Sequence, residues 1–103
     1  MISKTPAPPY YAVIFTSLRK DGDKGYDKTA NSMVELVKEQ NGFLGMETAR
    51  SEVGITVSYW KTLQAIQDWK KNTEHQTAQK NGKGKWYAAY KIRICKVERD
   101  YEF

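Results

Sequence analysis

The chain has 103 residues, one cysteine and a formal net charge of +5. That length holds a single domain, and a lone cysteine rules out an internal disulfide and fits a reducing compartment. No stretch reaches the ~20 apolar residues of a membrane span, and the opening residues MISKTPAPPYY lack the apolar run of a signal peptide, so a cytoplasmic protein is expected.

Thirteen aromatic residues give a chain of this size more flat apolar area than it easily hides, a first sign of an interface or a pocket. The positive excess gathers at Lys80, Lys83, Lys85, Lys91, Arg93 and Lys96, a pattern that reads first as a solvated basic face.

Pro6, Pro8 and Pro9 make residues 1–9 an extended arm. A first strand runs from Tyr10 to about Leu18, with Tyr11, Val13 and Phe15 on one side and Ala12, Ile14 and Leu18 on the other. After the polar link at residues 19–25 comes a helix, with Tyr26, Ala30, Met33, Val34 and Val37 at helical spacing. Asn41-Gly42 stops it, because both residues tolerate a left-handed backbone.

Phe43 to Val53 reads as a second strand, Gly54 as the turn, and Ile55 to Lys61 as a third, antiparallel strand. Thr62 can cap a second helix carrying Leu63, Ile66 and Trp69 on its inner face. The pattern restarts at Thr73-Glu74-His75-Gln76, which has the form of a capping box and predicts a separate short helix ending at Asn81-Gly82. The last strand, Lys85 to about Val97, sets Trp86, Ala88, Tyr90, Ile92 and Ile94 against Tyr87, Ala89, Lys91, Arg93 and Cys95. The order is β-α-β-β-α-β, the ferredoxin-like split motif of the α+β class. Both helices cover one face of such a sheet. The other face cannot be hydrophilic, because strands one, three and four carry apolar or aromatic residues on both sides, so a second copy packed against it is expected.

The run SYWKTLQAIQDWKKNTEHQTAQKNGKGKWYAAYKIRICKVERDYEF resembles the second half of antibiotic biosynthesis monooxygenase (ABM) domains. The features are an aromatic-Trp pair ending the third strand, an Ile-x-x-Trp helix, a Glu-His segment, Lys-Trp-Tyr at the start of the last strand, and Val-Glu-Arg-x-Tyr near its end. The resemblance reaches from Tyr11 onward, and in the first half it rests mainly on element order. It implies a dimeric α+β barrel with a pocket in each protomer between sheet and helices. It also implies a family that includes cofactor-independent monooxygenases, quinol oxygenases, haem-degrading oxygenases and proteins with no assigned activity.

His75 is the one histidine. If Thr73 caps a new helix, His75 sits in its first turn, where the positive end of the helix dipole disfavours imidazolium. A neutral imidazole there can act as a general base or contact a phenol, or simply decorate the turn. Trp60, Trp69, Trp86 and Tyr90 can wall a pocket for a flat ligand, or equally fill the core or an interface. Arg50 or Arg93, with Tyr59 and Tyr87, can assist.

The haem-degrading branch of the resemblance matches at Trp69. However, Gln79 stands where its ligating histidine is expected, and Thr16 and Ser17 stand near its strand-one asparagine, so that branch is disfavoured. One His and one Cys far apart make no metal site. GKGK lacks the preceding strand and the Ser/Thr of a P-loop, and ITVSYWK lacks the third-strand signature of an RNA-binding ferredoxin-like sheet.

The expectation is a 10–103 domain behind a 1–9 arm, forming a homodimer that binds no nucleic acid and no membrane. It acts without cofactor or metal as a monooxygenase on an aromatic or quinol-type molecule, through His75 as the catalytic residue and Trp60, Trp69, Trp86 and Tyr90 as binding residues. The alternative is a non-catalytic dimeric small-molecule binding or stress-response protein.

Overall fold

The computed structural model describes residues 2–19, 26–79 and 87–103, excepting the side chains of residues 26–30 and 75–79. The elements are β1 (Tyr10–Arg19), α1 (Tyr26–Lys38), β2 (Phe43–Arg50), β3 (Gly54–Trp60), α2 (Leu63–Gln79) and β4 (Tyr87–Val97). The strands form one antiparallel sheet in the order β2-β3-β1-β4. This is the expected ferredoxin-like α+β fold. The link at residues 20–25, the Asn81-Gly82 stop, Lys85 and Trp86 lie outside the described residues.

Register fixes which side chains share a face, because partners opposite one another point the same way. On the helix-facing side the sheet presents four rows. They are Phe43–Trp60–Tyr11–Lys96, Met46–Ser58–Val13–Ile94, Thr48–Thr56–Phe15–Ile92 and Arg50–Gly54–Ser17–Tyr90. The buried cluster joins Trp60 to Val37 of α1 and to Ala65 and Ile66 of α2, with Tyr11, Val13 and Met46 packed against it. The core therefore sits at the Trp60 end of this face.

Local chemistry explains the helix boundaries nearest that core. The Ala65 N–H donates to Thr62 Oγ1 at 3.0 Å, the expected N-cap bond. Gly42 has φ of +83°, and a Cβ on it would lie 2.8 Å from the Ala65 Cβ. Its carbonyl accepts from the Lys61 N–H at 2.7 Å. Glycine is required there both by backbone conformation and by the close approach of α2.

Four sequence readings are corrected. First, α2 runs unbroken through Asn72 and Thr73 to Gln79. Thr73 Oγ1 donates back to the Lys70 carbonyl at 2.8 Å, as a hydroxyl does in a helix interior, and is not a cap. Second, Gly54 does not turn the chain. It opens β3 opposite Arg50, and the turn is made by residues 51–53, with the Ser51 N–H donating to the Val53 carbonyl at 3.1 Å. Third, the inner stripe of α2 is Ala65, Ile66 and Trp69, while Leu63 is exposed. A repeat of three drifts around a 3.6-residue helix, and Ala65–Trp69 is the pair one turn apart. Fourth, the register shifts at Leu18/Arg19, pairing Leu18 with Ala89 and Arg19 with Tyr87. The extra residue brings Tyr87 to the same face as Tyr90, where strict alternation sets them opposite.

The chain before β1 lies across one end of the outer face. Ser3 donates its N–H to Glu47 Oε2 at 2.9 Å and its hydroxyl to the Met46 carbonyl at 3.0 Å. Thr5 Oγ1 donates to the Tyr10 hydroxyl, which in turn donates to Asp100 Oδ2 at 2.6 Å. The Tyr59 hydroxyl donates to Glu47 Oε1 at 2.6 Å, and its ring meets Tyr10 edge-on.

Candidate functional site

Moving along the helix-facing surface from the Trp60 row to the Ser17 row, packing gives way to polar and aromatic groups left partly open. Ser17 is only 2% exposed. Its Oγ accepts a hydrogen bond from Arg50 Nη2, although the two residues stand on β1 and β2 with β3 between them. The residue between them is Gly54, and a Cβ there would collide with the guanidinium. Glycine thus lets the arginine lie flat across the sheet, a role set by close approach rather than by turn geometry. In the next row, Thr48 Oγ1 and Thr56 Oγ1 share a hydrogen bond of 2.8 Å.

Beside this polar pair stands an aromatic group. Phe15 meets Tyr87 edge-on at 5.5 Å between ring centroids and Tyr90 at 5.6 Å, and the two tyrosines lie 6.2 Å apart. Such edge and tilted contacts hold rings in place through their quadrupoles. Tyr90 remains 41% exposed, and its neighbour Ile92 is also exposed. Tyr90 is the Cα partner of Ser17, so the end of the arginine–serine contact and the edge of the aromatic group are one strand apart, ~4.8 Å.

The residues singled out from sequence fall in different places. Trp60 is 0% exposed. It stacks on Trp69 at 6.2 Å, meets Phe43 edge-on at 5.4 Å, and donates Nε1–H to Ser58 Oγ. The ring is enclosed on all sides and belongs to the core. Trp69 is half-buried over it, and Tyr90 lies at the open end. Trp86 is outside the described residues. The His75 backbone lies in the C-terminal part of α2, so the argument that placed it at a positive helix end does not hold, and its side chain is outside the described residues. Arg50 was recognised in the sequence only as a basic candidate. Its pairing with Ser17 depends on register across three strands, a signal that spacing does not carry.

The outer face has different electrostatics. Burial and the hydrogen bond to Glu47 push the Tyr59 hydroxyl up to about 12. The Tyr59 hydroxyl and then the Ser3 N–H hold the Glu47 carboxyl below its ordinary value, and the bond to Asp100 raises Tyr10. Here too lies an open concavity of about 300 Å³ bordered by Glu47, Ala49, Ile55 and Val57. Leu18 and Ile55 on this face are 43% and 45% exposed. No group of three His, Cys, Asp or Glu among the described residues is arranged to hold a metal ion, and no described helix is long and apolar enough to cross a membrane.

Comparison with known proteins agrees with this architecture. The family model described as "Antibiotic biosynthesis monooxygenase" matches residues 9–81. The "Uncharacterized protein YqjZ" of Bacillus subtilis (strain 168) is 50% identical over 104 residues, spanning 99% of this chain and 91% of that protein. Among solved structures, protein PA3566 of Pseudomonas aeruginosa superposes with a TM-score of 0.67 at 15% identity, covering 93% of this chain and 99% of its own. Protein SO0527 of Shewanella oneidensis gives 0.65 at 12% identity, covering 93% and 97%. At those identities the structures speak for the fold alone, whereas the family match and the Bacillus relative speak for descent: the chain belongs to the antibiotic biosynthesis monooxygenase family.

Proposed function

We propose that this protein is a cofactor-independent monooxygenase of an aromatic or quinol-type small molecule, working at the open end of the cleft between sheet and helices. The observation that carries this reading is the Phe15–Tyr87–Tyr90 group, fixed on the interior face of the sheet yet left open at Tyr90. Preformed aromatic surface beside a few directed polar groups is what a flat organic ligand needs. Family membership supports the choice of reaction class.

In this chemistry the substrate provides the electrons. An anthrone-type CH2 ionises, the carbanion reduces oxygen and forms a peroxide at the same carbon, and loss of water leaves a carbonyl. In sum CH2 and O2 give C=O and H2O. The protein must hold the ring, accept the first proton and keep bulk water away.

His75 is the base of this proposal. From Leu63 to His75 the axis of α2 advances ~18 Å. From Tyr11 to Ser17 the sheet advances ~20 Å. A helix that starts beside Trp60 and packs back over β3 would on these rises bring residue 75 toward the Ser17 row, which supports the choice of His75. Trp60, Trp69 and Tyr90 are the proposed binding residues, with Trp86 kept as a candidate from the sequence.

The test is oxygen uptake with a panel of quinols and anthrones, comparing the parent with His75→Ala and Tyr90→Ala. The expected result is uptake above background in the parent and a loss of roughly a hundredfold without the base. Saturable binding with uptake at background for every compound would favour the alternative, a binding or stress-response protein.

We infer also that the working unit is a homodimer joined through the outer face. Ile14, Leu18, Ile55 and Val57 lie on that face, too contiguous a patch to leave to water, while Lys91 and Arg93 of β4 border it. Light scattering at micromolar concentration should give twice the chain mass, and Ile55→Glu should give the monomer.

A further inference from the structure

The concavity on the outer face has apolar walls at Ala49, Ile55 and Val57 and a carboxylate, Glu47, at its border. Resting on the homodimer inferred above, we propose that this concavity receives the Arg93 side chain of a second copy, related by a two-fold axis parallel to the strands. An arginine suits such a hollow. Its carbon stem covers apolar surface while its guanidinium meets the acid.

Register selects this arrangement. Three rows cross the outer face, Glu47–Val57–Ile14–Arg93, Ala49–Ile55–Thr16–Lys91 and Gly45–Tyr59–Ala12–Cys95. β2 and β4 are the two edges of the sheet, so Glu47 stands at one edge and Lys91 and Arg93 at the other. Aligned sheets pack ~10 Å apart, and two in-plane two-folds can align two copies. An axis across the strands lays β4 on the second β4 and sets Lys91 and Arg93 among their own like charges. An axis along the strands, between β3 and β1, lays each row on its own copy reversed. Glu47 then faces the partner's Arg93, twice in each dimer, and Val57 faces the partner's Ile14. In the third row Tyr59 falls on the partner's Ala12 and Gly45 on the partner's Cys95, so the bulky residue meets a small one. Charge and size favour the same axis.

Glu47 is held ready for this contact. Its two oxygens accept from the Tyr59 hydroxyl and the Ser3 N–H, which fix its direction, and carboxylate oxygens take further donors on their remaining lone pairs. Arg93 is exposed on the edge strand.

The experiment is sedimentation velocity over a dilution series of the parent, of Arg93→Glu, of Glu47→Lys, and of the two variants mixed in equal amounts. Arg93→Glu sets acid against acid at both contacts and should weaken self-association roughly a hundredfold or more. Glu47→Lys sets base against base and should do the same. Mixed, they form one native pair and one reversed pair, so dimers should return to within roughly tenfold of the parent's affinity. Should Glu47→Lys fail to fold, Glu47→Gln keeps an acceptor for Tyr59 and should weaken the dimer roughly tenfold. A parent dimer whose affinity is unchanged in Arg93→Glu, or folded variants that stay monomeric when mixed, would overturn the pairing and leave the dimer reading standing. A monomeric parent would overturn both.

Discussion

At one end of the helix-facing surface the row Phe43–Trp60–Tyr11 is capped by Ala65, Ile66 and Trp69, and Trp60 has no exposed area. At the other end the row Arg50–Gly54–Ser17–Tyr90 carries a guanidinium, a buried hydroxyl and a phenol, and Tyr90 is 41% exposed. The two rows belong to the same sheet and lie ~20 Å apart, yet one is closed over by packing and the other leaves an aromatic ring open. The difference teaches that aromatic content alone does not locate a site. Trp60 and Tyr90 are both aromatic strand residues on the same face, and what separates them is whether packing closes over the ring.

Breaking the closed end should produce the largest effect. Trp60→Ala removes a fully enclosed ring and is expected to cost about 3–5 kcal/mol, read as a lower urea midpoint. Tyr90→Ala removes a half-open ring and should cost under about 1 kcal/mol while abolishing binding of aromatic probes. Equal stability losses at the two positions would refute the division between a structural end and a ligand end.

A smaller effect sharpens where the closed end begins. Thr62→Ala deletes the cap bond to Ala65 and is expected to cost about 1 kcal/mol. Thr73→Ala, in the middle of the continuous helix, should stay within about 0.5 kcal/mol. Were Thr73 the start of its own helix, the two losses would be alike. The comparison is made by chemical denaturation of both variants against the parent.

These positions also show what the sequence could and could not reveal. Strand faces were legible because a period of two leaves only two arrangements, and Thr62 and Asn41-Gly42 announced their roles because caps act within four residues. Thr73-x-x-Gln76 misled because the same residues fit a helix interior, where propensity differences are small. Tyr87 was placed on the wrong face by strict alternation, since a bulge is set by pairing with Leu18 and Arg19 and leaves no local mark. Gly54 looked like a turn because glycine is common in turns, whereas here it opens a strand and lies under a side chain from another strand. The Arg50–Ser17 contact joins residues 33 apart in sequence and exists only once three strands are in register. Family resemblance conveyed the fold, but the row beside Tyr90 had to be read from pairing.

The smallest effect concerns the outer face, behind the closed end. Tyr59 and Glu47 share a hydrogen bond that favours neutral tyrosine and ionised glutamate. Tyr59 is raised from 10.0 to about 12, so its contribution to stability is fully present below pH 10 and is lost as pH rises through about 12. Glu47 is lowered from 4.5, so its contribution is present above pH 4.5 and is lost as pH falls below that value. Tyr59→Phe removes the bond, and with it the tyrosine dependence and the larger part of the glutamate dependence, the rest of which comes from the Ser3 N–H. The urea midpoint of the parent should therefore exceed that of Tyr59→Phe by a constant amount between pH 5 and 9, and the gap should narrow on either side. Because this pair lies with Ser3 and Tyr10 away from the Tyr90 row, binding of aromatic probes at pH 7 should be the same in Tyr59→Phe as in the parent. A binding loss there would mean that the two ends of the molecule are coupled through the sheet.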